Sequence, residues 1–450
     1  MSLNFSAFSP LDISLIDAPS LGTLYAVTGL ALLLVLLGPT GVRRAVITVI
    51  GAVVGALGGW ALAWFITDVW DPWGVSFSTG TGLWTAALGA SLAVVVLNLS
   101  GQVRWRRGVA VGAIGLCLLS AAAGINADVG EFPTVRVALG LARYTPLDAA
   151  LATAQAQAAQ TPGVHPDSAH AASSAASTDS GVVGTVTIPA TSSGFASRDA
   201  LVYLPPAARR PNPPALPVVE MLSGQPGSPS DVFTSGRLAG ILDTYARAHS
   251  GLAPIVVVPD QLGAPGHNPM CVDSALGNSA SYLTVDVPAW IRSHLHVTVQ
   301  PSGWTIAGFS QGGTCAIQLG AAHPELYSTI LDIAGELVPK NGSEAHTVQS
   351  GFGGSASLYA AAAPSAILAA RQPYAELGAV FVVGSDDARF LPGMHAAADA
   401  AQRAGVVTHL FESPGTAHDW RTVDYAWTTA LPIIAARTAL LAPTVIASTQ

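Results

Sequence analysis

The sequence predicts a four-helix membrane region followed by an α/β domain on a mainly parallel sheet with helices on both faces. Three observations predict it. The first 130 residues hold four apolar stretches almost free of charge. From about Gly181 onward, short apolar runs alternate with helical patterns at the spacing of a parallel sheet. Between one such run and the next helix stands Gly308-Phe309-Ser310-Gln311-Gly312, a serine flanked by glycines.

Half of the 450 residues are apolar and 10% are charged, against ~25% charged in a soluble domain. The stretches Leu21–Leu37, Val46–Thr67, Leu83–Leu97 and Val109–Ala127 bracket the ~20 residues that a bilayer-crossing helix needs. They show no polar face at helical spacing, and Trp60, Trp64, Trp70, Trp73 and Trp84 cluster near their ends as an aromatic belt would. The first twenty residues carry Asp12 and Asp17 and no basic residue, so they do not read as a cleavable signal peptide. Arg43 and Arg44 mark the first connection, and Arg104, Arg106 and Arg107 the third. The second has Asp68 and Asp71 and no positive charge. The positive-inside rule then puts the first and third connections in the cytoplasm. Everything after the fourth span is expected outside, giving a multi-pass protein of the cell membrane with an extracytoplasmic catalytic domain.

Residues 131–180 read as a linker, with helical propensity over Ala149–Gln160. Residues 181–450 read as the catalytic domain. Val182–Ile188 and Asp199–Leu204 are expected to form an opening antiparallel hairpin. Helices are expected at Asp231–Ala248, Asp286–Leu295, Gln311–Ala322, Leu391–Ala404 and Arg421–Leu440. The net charge of −8 belongs wholly to the residues after 150, where twenty acidic side chains face twelve basic ones. That balance gives no electrostatic case for nucleic acid and none for adhesion to anionic lipid.

Trp304-Thr305-Ile306-Ala307 reads as a strand and Thr314–Leu319 as a helix, so Ser310 sits on a strand-to-helix turn. This is the nucleophile elbow of the α/β-hydrolase fold, where chain order runs Ser, acid, His. Downstream, the apolar run Ala379–Val383 ends in Gly384-Ser385-Asp386-Asp387, and the run Val406–Phe411 leads to a loop containing His418. A serine hydroxyl needs a neutral imidazole to take its proton, and a carboxylate behind the imidazole fixes the tautomer and stabilises the imidazolium. Ser310, Asp387 and His418 fill those roles. Asp386 is the alternative acid and Asp332 the third choice; His409 and His395 fall inside a strand and a helix. The oxyanion is expected to meet the backbone amides of Gln311 and Gln225, the latter in the loop after the strand Leu216–Met221.

From about Gly181 the chain resembles the esterase D/antigen 85 family of α/β-hydrolases, in particular its actinobacterial membrane-anchored members. The resemblance is carried by Gly224-Gln225-Pro226-Gly227-Ser228-Pro229, Pro259-Asp260, Tyr282 to Ile291, Gly308 to Gly312 and His418-Asp419-Trp420. It implies hydrolysis of carboxylic esters, or acyl transfer to a sugar or lipid hydroxyl in the manner of mycolyl-transferring members, through the triad Ser310, Asp387 and His418. Many relatives have a histidine-glycine pair where this chain has Ser223-Gly224. A third reading is a non-catalytic scaffold on the same fold. The expected partners are an acyl-ester substrate, an envelope lipid or glycolipid among the candidates, and the bilayer. No cofactor is called for: the chain has no zinc-binding spacing and no glycine-rich phosphate cradle. Cys117 lies within the fourth span. Cys271 and Cys315 would both lie outside the cell, where a disulfide between them is favoured.

Overall fold

A computed structural model describes residues 9–37, 41–71, 74–99, 104–160 and 180–440. The expected belt residue Trp73 and linker residues 161–179 lie outside the described residues. The chain forms two compact units. One comprises residues 1–142, 384–389 and 413–422; the other comprises 143–383, 390–412 and 423–450.

The first unit is built on four helices, each long and apolar enough to cross a membrane. They are α1 (Ala18–Leu36), α2 (Val42–Trp64, prolonged by a π-helical turn Phe65–Trp70), α3 (Thr79–Asn98) and α4 (Arg104–Val129). Three of the expected spans fall inside one of them, and the first, Leu21–Leu37, overruns α1 by its cap residue Leu37. α2 packs on α3, and α1 and α3 pack on α4. Helices in lipid gain little from burying apolar surface against each other and rely on close approach and buried hydrogen bonds, and these four helices show both. At Gly55 and Gly59 of α2 a side chain would collide with the α3 backbone at Gly89 and Thr85. Thr28 bonds Ser120 at 2.7 Å, and the Asn98 amide donates to Thr48 at 3.2 Å. Leu30, Leu33, Ile50, Val53, Val54, Leu57 and Leu119 remain exposed, as lipid-facing residues would. Trp60, Trp64 and Trp70 are exposed too, whereas Trp84 packs against Tyr25, the rings tilted by 34° with their centres 5.0 Å apart. A short helix α5 (Val135–Ala138) follows.

The second unit opens with α6 (Leu147–Gln160), whose preceding residues Thr145 and Pro146 pair with Thr185. It is followed by β1 (Val182–Val186), β2 (Ala200–Leu204), β3 (Val218–Leu222), α7 (Asp231–Thr234), α8 (Leu238–Ala248) and β4 (Ile255–Val258). A two-stranded ribbon β5 (Asp273–Ser274) and β6 (Gly277–Asn278) leads through α9 (Ser279–Ser281) and a π turn to α10 (Val287–His294). Then come β7 (Trp304–Phe309), α11 (Gln311–Ala322), β8 (Thr329–Ile333), α12 (Glu344–Phe352), α13 (Ala356–Ala361) and α14 (Pro364–Arg371). The last elements are β9 (Gly378–Gly384), α15 (Leu391–Arg403), β10 (Val407–Ser413) and α16 (Trp420–Arg437).

The eight-stranded sheet runs β1-β2-β4-β3-β7-β8-β9-β10. β1 and β2 form the expected antiparallel hairpin, with Val182 opposite Leu204, and β2 is antiparallel to β4. Pairs β3–β4, β3–β7, β7–β8 and β8–β9 are parallel. All residues of β3, β7, β8 and β9 are buried, which explains why these strands are largely apolar, with Glu220, Thr305, Thr329 and Asp332 as buried polar exceptions. The helix expected over Asp231–Ala248 is two helices. Arg237 takes a left-handed φ of 47° between them and forms an ion pair with Asp424 of α16.

Candidate active site

The turn between β7 and α11 places Ser310 in a strained conformation, φ 57° and ψ −119°. Such a backbone is costly for a residue with a Cβ and persists only where its surroundings fix it. Two glycines make the turn feasible. A Cβ at Gly308 would collide with the Gly312 carbonyl, and one at Gly312 with the carbonyls of Leu222 and Ser223 at the end of β3. Gly224 passes close by: a Cβ there would lie 3.7 Å from the Ser310 Cβ. The loop carrying Gln225 therefore runs beside the serine. Gln311 supplies the first amide of α11, one of the N–H groups without an intrahelical carbonyl.

The Gln311 side chain is engaged elsewhere. Its Nε2 donates to Asn268 Oδ1 at 3.1 Å and lies 3.2 Å from Cys315 Sγ, while its Oε1 accepts from Gln261 Nε2 at 3.1 Å. Gln261 also donates to the Ser223 carbonyl at 2.6 Å. Cys271 and Cys315 are joined in a disulfide with their Cα atoms 5.6 Å apart, tying the loop after β4 to α11 one turn beyond Ser310. This buried amide network leaves only the backbone of Gln311 for other partners. Gln261 and Asn268 are invisible to sequence reasoning, because an amide in a loop carries no local signal of its partners.

Asp387 and His418, at the ends of the loops after β9 and β10, are brought together. His418 Nδ1 lies 3.0 Å from Asp387 Oδ2, with side-chain exposures of 5% and 0%. The two loops are bonded to each other through Ser385 N to Ser413 O, Asp386 N to Thr416 O and Gly415 N to Ser385 Oγ, at 2.9, 2.9 and 2.8 Å. The rival carboxylates point elsewhere. Asp386 accepts from the Thr79 amide at 2.8 Å. Burial tends to raise its pKa, but the hydrogen bonds from Thr79 and Ser385 win and hold it below the usual aspartate value. Asp332 lies within β8, accepts from the Gly335 amide at 3.0 Å, and is pushed up to about 7 by burial against that bond. His409 stacks on Phe411 within β10, and His395 pairs with Glu412 at 2.9 Å.

Other residues that suggested the resemblance have structural work. Asp260 is fully buried and takes Arg198 in a forked ion pair at 2.7 and 2.9 Å. Asp286 accepts the amides of Ser192 and Ser193 at 2.8 and 3.0 Å, fixing the turn between β1 and β2.

Comparison with known proteins adds the family. The family described as "Putative esterase" matches residues 196–437, more than half of the chain and nearly all of the sheet and its helices. The chain belongs to this esterase family. Membership makes the esterase a hydrolytic enzyme of the carboxylesterase type and agrees with the resemblance read from the motifs. An uncharacterized protein of Corynebacterium glutamicum is 29% identical over 423 residues, covering 91% of the esterase and 94% of that protein. A ferulic acid esterase superposes with a TM-score of 0.48 at 17% identity, over 57% of this chain and 97% of its own. An S-formylglutathione hydrolase from Agrobacterium tumefaciens gives 0.47 at 19%, over 58% and 96%. MPT51 of Mycobacterium tuberculosis gives 0.41 at 18%, over 57% and 98%.

Proposed function

We propose that the esterase is a multi-pass membrane enzyme whose extracytoplasmic domain hydrolyses acyl esters through Ser310, His418 and Asp387. The observation that carries this reading is Ser310 on the strained turn between β7 and α11, in a chain of the esterase family. Chain order and the buried His418–Asp387 bond support the remaining roles.

In this mechanism Ser310 Oγ attacks the ester carbonyl carbon while His418 takes its proton. With Nδ1 facing a carboxylate, the imidazole carries its proton on Nδ1 and presents a basic Nε2. Asp387 then stabilises the imidazolium without accepting the proton itself. The backbone amides of Gln311 and Gln225 stabilise the tetrahedral oxyanion, a contribution of about 10²–10³ in rate per donor in comparable sites. His418 returns the proton to the departing alcohol, leaving an acyl group on Ser310. Water, activated by the same imidazole, releases the acid.

The test uses the full chain in lipid nanodiscs with chromogenic esters of graded acyl length, with and without trehalose or glycerol. Turnover that is first-order in enzyme and unchanged by the polyols supports hydrolysis. Acylated polyol appearing at the expense of free acid would make the enzyme an acyltransferase. No turnover and no acyl-enzyme would leave the non-catalytic scaffold.

A further inference from the structure

Within the first compact unit, the loops bearing Asp387 and His418 are bonded to the ends of three membrane helices. These contacts exceed what an anchor requires. Arg389, two residues after Asp387, donates to the Thr67 carbonyl at 2.6 Å and pairs with Asp71 at 2.5 Å, both at the C-terminal end of the second span. Asp386, immediately before Asp387, accepts the Thr79 amide at the first position of α3. In the histidine loop, Arg421 pairs with Asp128 at the end of α4 at 3.1 Å, and Trp420 donates to Glu131 at 2.9 Å. Asp128 in turn accepts from Ser78 and Thr81 at the start of α3.

The charges match the helix poles. A guanidinium meets the carbonyl end of the second span, and a carboxylate meets the amide end of the third, the pairings that helix dipoles favour. Asp387 is bracketed by both contacts, and His418 is held from two residues on its C-terminal side. Loops are ordinarily the mobile parts of a catalytic site, and an acid–base pair loses much of its value when displaced by an ångström.

We infer that the ends of α2, α3 and α4 are positioning elements of the acid–base pair, with Asp71, Thr79 and Asp128 as positioning residues acting through Arg389, Asp386 and Arg421. The inference rests on the assignment of Asp387 and His418 above. The membrane segment is then part of the catalytic apparatus, and loss of its packing lowers kcat.

Thr79→Pro tests this with little structural cost. Proline is well tolerated at the first position of a helix, and Ser78 has the extended ψ of 159° that a following proline requires. The substitution removes the Thr79 N–H that Asp386 accepts, together with the Thr79 hydroxyl that bonds the same carboxylate. A second measurement is the cycle Asp71→Asn, Arg389→Gln and the double variant. All are assayed as full chain in nanodiscs, normalised to Ser310 sites titrated by a fluorophosphonate, with Arg136→Gln (whose ion pair with Asp12 touches neither loop) as control. The expected result is a fall in kcat of about tenfold in Thr79→Pro and in each single variant of the cycle, with KM within about twofold. The double variant should fall no further than the worse single, because the two residues act as one unit. The acid limb of kcat/KM should move to lower pH, since an imidazolium held less well by its carboxylate is more acidic. Fully titratable variants with unchanged kcat and an unmoved acid limb would overturn the inference and leave the esterase reading intact. Failure of the fluorophosphonate to modify Ser310 in the unaltered protein would overturn the esterase reading itself.

Discussion

Replacing Asp387 with asparagine should abolish most turnover, whereas the same change at Asp386 should not. Asp387 is fully buried and 3.0 Å from His418 Nδ1. An amide in its place can donate to Nδ1, which moves the ring proton to Nε2 and leaves no base for the serine. It also removes the negative charge that the imidazolium needs. Comparable losses elsewhere are about 10⁴ in kcat, which is ~5.4 kcal/mol of barrier at 1.36 kcal/mol per tenfold. Asp386→Asn keeps an oxygen to accept the Thr79 amide and loses the charge and the oxygen that accepts the Ser385 hydroxyl, so its cost should stay below about tenfold. The assay is hydrolysis of p-nitrophenyl butyrate by the full chain in nanodiscs, with folding checked by circular dichroism. Equal losses in both variants, or a larger loss at Asp386, would refute the assignment of the acid.

Three further outcomes are expected. Removing the disulfide with Cys271→Ser and Cys315→Ser should lower stability by up to about 4 kcal/mol from the chain entropy of a 44-residue separation; an unchanged melting temperature under oxidising conditions would contradict it. Glu220, wholly buried in β3, is pushed up to about 8 by burial, against the lowering effect of the bond it accepts from Tyr327 at 2.8 Å. The folded state thus keeps a proton that the unfolded chain releases near pH 4.5, and stability falls as pH rises from there to about 8. Glu220→Gln should therefore gain in melting temperature over the unaltered protein between pH 5 and pH 9, and a constant gap would contradict this. For topology, in a Cys117→Ala background an impermeant thiol reagent applied to intact cells should reach Ser180→Cys and miss Gly101→Cys, and the reverse pattern would put the catalytic domain in the cytoplasm.

The elements most legible in the sequence were those whose residues face one kind of environment throughout. The four long N-terminal helices are apolar enough to cross a membrane, and strands β3, β7, β8 and β9 are largely apolar because they are buried along their whole length. The elbow was legible because its glycines answer a local steric demand at Gly308 and Gly312. The break before α8 was not, since Arg237 adopts a left-handed φ to meet Asp424, almost two hundred residues later, and nothing near Arg237 announces it. Nor could sequence order show that Thr79 meets Asp386 or that Asp71 meets Arg389, contacts that join the N-terminal helices to a loop more than three hundred residues on. The amide network around Gln311 was hidden for the same reason: hydrogen-bond partners in folded loops are chosen by geometry, not by spacing.

Covalent trapping decides whether Ser310 is the nucleophile proposed above. The full chain in nanodiscs is treated with a fluorophosphonate probe, digested, and mapped by mass spectrometry, beside Ser310→Ala. A single modified site is expected at Ser310, blocked by prior exposure to an ester inhibitor, with no modification in the alanine variant, whose hydrolysis should fall by several orders of magnitude. Modification at another serine, or modification and turnover that survive in Ser310→Ala, would contradict it.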